Sequence, residues 1–172
     1  MRVIGIDPGL GGAIALYDTD TGALEIIDMP VVEVKVNRST RREVSEAALL
    51  EWFRMAYYTG IRGVFQEDVG GRKGQSASAA FSFGWVACAT YTAALAAGLR
   101  PRLVVPTLWK RALKVRGKTE GTEGIEDKVN EVFGAAYSHL WRGPKGGIKH
   151  DRAEAALISK YGAQVLVSEE GQ

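Results

Sequence analysis

The sequence predicts an α/β fold: a mixed five-stranded sheet, begun by an antiparallel three-strand meander and completed by parallel strands, with helices flanking it. Three observations predict this. The first 29 residues hold three short apolar runs separated by turn sequences, the pattern of a meander. The remainder alternates helix-period segments with two short strand-type runs, the pattern that adds parallel strands across helical connections. No internal repeat or low-complexity tract marks a second unit, so residues 1–172 are expected to form a single domain.

Taken in order, residues 2–6 (RVIGI), 12–17 (GAIALY) and 23–29 (ALEIIDM) read as strands. Asp-Pro-Gly-Leu-Gly and Asp-Thr-Asp-Thr-Gly join them, both strong turn signals. From Glu43 to Tyr58 the apolar positions Leu49, Trp52, Phe53, Ala56 and Tyr57 follow helical spacing, with Gly60 as a stop. "GVFQED" is strand-like. Residues 75–97 are Ala-rich and helical, with Phe81, Trp85, Cys88, Thr92 and Leu95 along one stripe, the usual mark of core packing and also compatible with a dimer face. "RLVVP" is a further strand, and Pro106-Thr107 opens a short basic helix. Residues 117–124 read as a polar loop, Ile125, Val129, Val132 and Phe133 as a helix, 143–147 as a loop, and a final helix starts near Asp151.

The composition is that of a globular protein, 46% hydrophobic, with 22 Lys and Arg against 20 Asp and Glu. No membrane span and no secretion leader is expected, and the expected compartment is the cytoplasm. The one cysteine, Cys88, has apolar neighbours and reads as a small buried residue rather than a nucleophile. Charge is unevenly placed. Residues 100–118 carry Arg100, Arg102, Lys110, Arg111, Lys114, Arg116 and Lys118 with no acid among them. Arg142, Lys145, Lys149, His150 and Arg152 form a second cluster, and Arg38, Arg41 and Arg42 a third. Each is ordinary solvated surface taken alone; three together suit a phosphate-binding face.

Four carboxylates stand at element boundaries: Asp7, Glu67, Asp151 and Glu154. Each has a plain structural reading. Asp7 before Pro-Gly is a turn residue, Glu67 a strand-end partner for Arg62 or Arg72, and Asp151 with Glu154 a capping box. Together they suit a different role, because oxygen-rich clusters of this size hold Mg²⁺ or Mn²⁺, the ions of phosphodiester hydrolysis. No organic cofactor is expected. The Gly9-Leu-Gly11-Gly12 run precedes a strand rather than a helix, no P-loop is present, and His139, His150 and Cys88 are too few for a zinc cluster.

The residues resemble a known family, the RuvC-type Holliday junction resolvases of the ribonuclease H-like superfamily. The resemblance rests on "IGIDPG" at 4–9, "FQED" at 65–68 before the Ala-rich helix, and "HDRAEAALI" at 150–158. It implies the ribonuclease H-like fold, and places the catalytic metal ligands at Asp7, Glu67, Asp151 and Glu154, holding two Mg²⁺ ions per site, with Mn²⁺ as a substitute. It also implies a homodimer that binds four-way or branched DNA and cuts two strands symmetrically. Expected DNA contacts are Arg72, Lys73, Lys110, Arg111, Lys114, Lys118, Lys128 and Lys149. Glu154 departs from the family's usual Asp, His150 adjoins Asp151 and offers another register, and residues 117–124 match nothing in the family. Phe81 or Phe83 stacks on an exposed base in one reading and packs in the core in the other. The competing functions are a general debranching nuclease, a non-catalytic nucleic-acid-binding protein on the same fold, and a small actin-like phosphotransferase, for which one lobe is too little chain.

Overall fold

The computed structural model describes residues 1–37, 39–68, 70–71, 74–115 and 123–171. Strands β1 (Arg2–Asp7), β2 (Ala13–Asp18) and β3 (Leu24–Asp28) form the expected antiparallel meander. β4 (Val31–Val36) and β5 (Ser39–Val44) then pair into a separate two-stranded sheet, where the sequence reading has a connection and an early start to the first helix. Val32, Val34 and Val36 alternate with Glu33 and Lys35, a period-two pattern that favours strand. Asn37, at a φ of 56°, takes the left-handed conformation that a two-residue hairpin turn demands. The first helix, α1 (Glu46–Tyr57), therefore begins after Ser45, whose side chain accepts from the Ala48 N–H.

The chain continues through β6 (Ile61–Glu67), α2 (Ala77–Ala96), β7 (Pro101–Val104), α3 (Pro106–Ala112), α4 (Glu123–Phe133), a 3₁₀ turn (Ala135–Leu140) and α5 (His150–Glu170). The main sheet has the order β3-β2-β1-β6-β7, with β6 parallel to β1 and β7 parallel to β6. This is the mixed five-stranded sheet predicted. Both faces are covered, which is why β1 is an almost unbroken apolar run. Val3, Ala15, Phe65 and Val104 pack with α3, α4 and α5 on one face; Ile4, Ile6, Ile14 and Val64 pack with α1 and α2 on the other.

Gly5 sets how closely α5 lies on the central strand. A Cβ there would overlap the Ala155 carbonyl and the Ser159 amide of α5, backbone atoms that cannot move independently. Gly5→Ala is expected to cost about 3 kcal/mol, lowering the melting temperature by roughly 6–12 °C. An unchanged melting temperature would mean that α5 does not approach β1 this closely.

α2 departs from expectation in its orientation. The buried residues are Val86, Ala87, Thr90, Ala93 and Ala94, whereas Phe81, Trp85 and Leu95 of the predicted stripe are exposed. Cys88 is exposed too, correcting its reading as a buried residue. Phe81 is 73% exposed and stacks on Trp85, so it is not a core residue. Among the described helices α2 is the one long and apolar enough to cross a membrane by length and composition, but its other face packs on the sheet and α1.

Candidate metal centre

β1 and β6 run parallel in register, Ile6 opposite Gln66, so the next residues, Asp7 and Glu67, end at the same edge of the sheet. After Asp7 the chain reverses through Pro8-Gly9-Leu10-Gly11, with the Gly12 amide donating to the Gly9 carbonyl at 3.0 Å. A Cβ at Gly12 would collide with the Asp7 carbonyl, so this turn is tight enough to require glycine. α5 crosses β1 and brings Glu154 over the strand end. One carboxylate oxygen from each of Asp7, Glu67 and Glu154 lies within 4.8 Å of the others. The strands and the helix thus converge three acids, two of them buried.

Asp151 stands beside this trio. It lines the same open cleft, about 340 Å³ in volume, together with Asp7, Glu154, the Pro8–Gly12 turn, Gln75 and Phe83. Its Oδ2 would lie 3.1 Å from a Cβ at Gly11, a close approach that the missing side chain permits. Lys149 is the N-cap of α5, so Asp151 sits inside the first turn and Glu154 in the next. The capping-box reading of this pair is therefore wrong, because a capping box needs its acid at the N-cap itself. His150 is half-buried at the first helical position, one residue before Asp151.

The plain reading of Glu67 also fails for Arg62, which instead pairs with Glu170 at 2.9 Å. Glu67 is 4% exposed and its Oε1 accepts from the indole N–H of Trp109 at 2.9 Å. Trp109 is itself fully buried in α3, and Lys110 beside it pairs with Glu154 Oε1 at 2.7 Å while lying over the Trp109 ring. Consecutive residues of one short helix thus reach two different carboxylates of the trio. Sequence reasoning places Trp109 in a basic segment but gives no sign of its partner, which lies 42 positions away. Asp68, by contrast, is exposed and its amide extends the sheet to Val104.

Burial holds the Asp7 carboxyl well above the usual carboxylate range, and the nearby charges of Glu154, Glu67 and Asp151 push it further; Lys110 opposes them. Asp151 is raised as well, by burial first and then Glu154, while His150 and a hydrogen bond from Asp7 act the other way. The donor set, oxygen-only, with two of its three close acids buried and one lysine against four carboxylates among the described residues, fits a hard divalent cation such as Mg²⁺ or Mn²⁺.

A stability signature follows. A carboxyl with a raised folded pKa keeps a proton that the unfolded chain has released, so its contribution is fully present below the unfolded value and is lost as pH rises through the folded one. Metal-free protein is expected to melt several degrees lower at about pH 8 than at about pH 5, with Mg²⁺ or Mn²⁺ reversing the loss. Asp28 acts in the opposite sense at the acid end. Its hydrogen bonds with Arg152 are the main cause of a pKa lowered to about 2, and that stabilisation disappears between the unfolded value and about pH 2. Thermal melts in EDTA across this range test both, and a flat profile from about pH 5 to 8 would refute the strain assigned to Asp7.

The expected DNA-contact residues are scattered in role. Arg72, Lys73 and Lys118 lie outside the described residues. Arg111 and Lys114 are exposed at the end of α3. Lys110 pairs with Glu154 of the acidic cluster while more than a third of its side chain stays exposed, 37%. Lys128 is only 12% exposed and pairs with Glu131, and Lys149 pairs with Asp28 at 3.1 Å. Phe83, half-buried, lines the acidic cleft, which places an aromatic ring beside the carboxylates.

No protein-family model and no curated protein sequence matches the chain. Among solved structures, Thermus thermophilus RuvC in complex with a Holliday junction substrate matches with a TM-score of 0.56 over 96% of both chains, at 17% identity. A second Thermus thermophilus RuvC structure matches with a TM-score of 0.54, again over 96% of both chains, at 19% identity. Over nearly its whole length, then, this chain has the RuvC-type, ribonuclease H-like α/β fold, with a cluster of Asp7, Glu67 and Glu154 able to hold a metal ion where β1, β6 and α5 meet.

Proposed function

We propose that the protein is a metal-dependent endonuclease that hydrolyses phosphodiester bonds in four-way or otherwise branched DNA. The observation that carries this reading is the convergence of Asp7, Glu67 and Glu154, acids from three separate elements, at one edge of a RuvC-type sheet. Three acids held so close disfavour the folded state, and among the described residues Lys110 is paired with Glu154 alone, so a divalent cation among them would relieve a repulsion that a purely structural role leaves in place.

Asp7, Glu67 and Glu154 would hold the first Mg²⁺, and Asp151, lining the same cleft, would complete a second site with Asp7. Bound there, the metal pair supplies an activated water and neutralises charge on the departing oxygen. The chain's own residues do the rest. Trp109 fixes the rotamer of Glu67 through its indole N–H, and Lys110 offsets the charge of Glu154. The glycine turn leaves the cleft open on the side where Phe83 can meet an unstacked base. The cations Arg72, Lys73, Arg111, Lys114 and Lys118 would hold the phosphate backbone, in keeping with the resemblance to RuvC.

A symmetric junction calls for two active sites, and we assign the dimer contact to the exposed face of α2. Phe81, Trp85 and Leu95 stand there beside an apolar groove that Leu50 of α1 helps to line. A large apolar patch is costly to leave in water and suits a self-complementary two-fold contact. Sedimentation should show a dimer that Trp85→Asp converts to a monomer.

The deciding experiment is cleavage of an end-labelled four-way junction beside a linear duplex of the same sequence, in Mg²⁺ and in EDTA. Paired symmetric nicks in the junction alone, dependent on metal, are the expected result. Equal cutting of flaps and duplexes would make the protein a general debranching nuclease, and binding without cutting in either Mg²⁺ or Mn²⁺ would overturn the nuclease reading.

A further inference from the structure

We propose that the β4–β5 hairpin is a DNA arm, gripping the backbone of the strand that leads away from the acidic cleft; this rests on the nuclease reading above. The hairpin stands outside the main sheet, its two strands paired with each other alone. Isolated two-stranded hairpins are marginal in water, so the element needs a reason beyond its own stability. It is secured at its base, where Met29 and Val44 enter the core between the sheet and α1, and the Ser45 amide donates to the Pro30 carbonyl.

The register divides the hairpin into two unlike faces. Val32, Val34 and Val36 share one face with Arg41 and Glu43, and these last two neutralise each other in an ion pair. The other face carries Lys35 and Arg42 together with Glu33, and among the described residues no ion pair joins either cation to a carboxylate. The Arg42 guanidinium donates to the Leu10 carbonyl at 3.1 Å, and Leu10 lines the acidic cleft. That contact sets the hairpin's cationic face against the cleft rim, and Lys35 belongs to the next cross-strand pair outward on this face, about 7 Å along the strand. Two cations leading outward from a site built for a phosphodiester match a charged, extended backbone. The segment as a whole has Lys35, Arg38, Arg41 and Arg42 against Glu33 and Glu43.

The test is junction binding in EDTA, where no cutting occurs, read by fluorescence anisotropy over roughly 50 to 250 mM salt. Removing one cation that neutralises a phosphate should lower the slope of log affinity against log salt by about 0.9, so Lys35→Ala with Arg42→Ala should lower it by about 1.8. Lys35→Ala alone, clear of both the core and the cleft, should lower it by about 0.9 at an unchanged melting temperature, which separates weaker DNA binding from impaired folding. Arg41→Ala, on the neutralised face, should leave the slope as it was. A double variant that binds the junction with the wild-type slope overturns the arm and leaves the nuclease reading standing. Failure of the unaltered protein to bind any junction overturns both. A shift in sedimentation without a change in slope overturns the arm in favour of an interface between copies.

Discussion

Asp7→Asn is expected to reduce metal-dependent cleavage at least about a thousandfold, the loss of ~4 kcal/mol of transition-state stabilisation. It should also make the metal-free protein more stable. Asp7 is buried, and the three neighbouring acids add to the cost of ionising it, with Lys110 the opposing charge. Asparagine keeps the shape and removes the charge, so the strain goes with it. At neutral pH in EDTA the variant should melt a few degrees above the parent, each kcal/mol appearing as about 2–4 °C in a chain of this size. The two effects together distinguish a metal site from a structural acid. A catalytic ligand evolved to meet a cation is a liability without one, whereas a turn or capping aspartate would lose stability on the same substitution. Cleavage assays and thermal melts on one preparation decide between them, and a variant that is both active and destabilised would return Asp7 to the role of a turn residue.

Trp109→Phe is the second large effect. The indole N–H holds Glu67 Oε1 at 2.9 Å in a fully buried setting, so the carboxylate cannot rotate freely to meet an ion. Partners of this kind orient ligands, and their loss commonly weakens metal affinity 10–100-fold. Phenylalanine fills most of the same space but donates nothing. Mn²⁺ titration followed calorimetrically should show the weakened affinity, while junction binding in EDTA stays at the parental level. The cost to folding should be about 1–3 kcal/mol, since a buried carboxylate is left with one donor fewer. If Mn²⁺ binds with parental affinity, Trp109 is a packing residue and the Glu67 rotamer is set elsewhere.

The order of elements is legible because each one carries a local signal. Apolar runs bounded by Asp-Pro-Gly and Asp-Thr-Gly turns identify the meander, and Ser45 and Ser76 cap α1 and α2 where helical spacing begins. The hairpin escapes the sequence reading although its own signal is present. The valine alternation at 32, 34 and 36 belongs to one strand alone, its partner Ser39–Val44 carries no apolar alternation, and the helical period assigned from Glu43 takes in the end of that second strand. The inward face of α2 is misread for a different reason. The helix is apolar nearly all round, so the stripe through Phe81, Trp85 and Leu95 and the one through Val86, Thr90 and Ala93 are equally periodic. Periodicity finds a face only where the opposite face is polar.

Local pattern is enough to show which acids close their elements: Asp7 after an apolar strand, Glu67 after another, and Asp151 with Glu154 one helical turn apart at the head of the last helix. Those assignments depend on neighbouring residues along the chain, which any reader of the sequence can see. That Glu154, rather than Asp151, joins the tight group follows from packing, because the close crossing of α5 over Gly5 fixes which helical turn stands above the end of β1. Packing also brings Trp109 to Glu67 and Arg42 to the cleft rim, across 42 and 32 residues of chain. Contacts between residues so far apart depend on how the layers stack, and that stacking leaves no periodic trace in a single sequence.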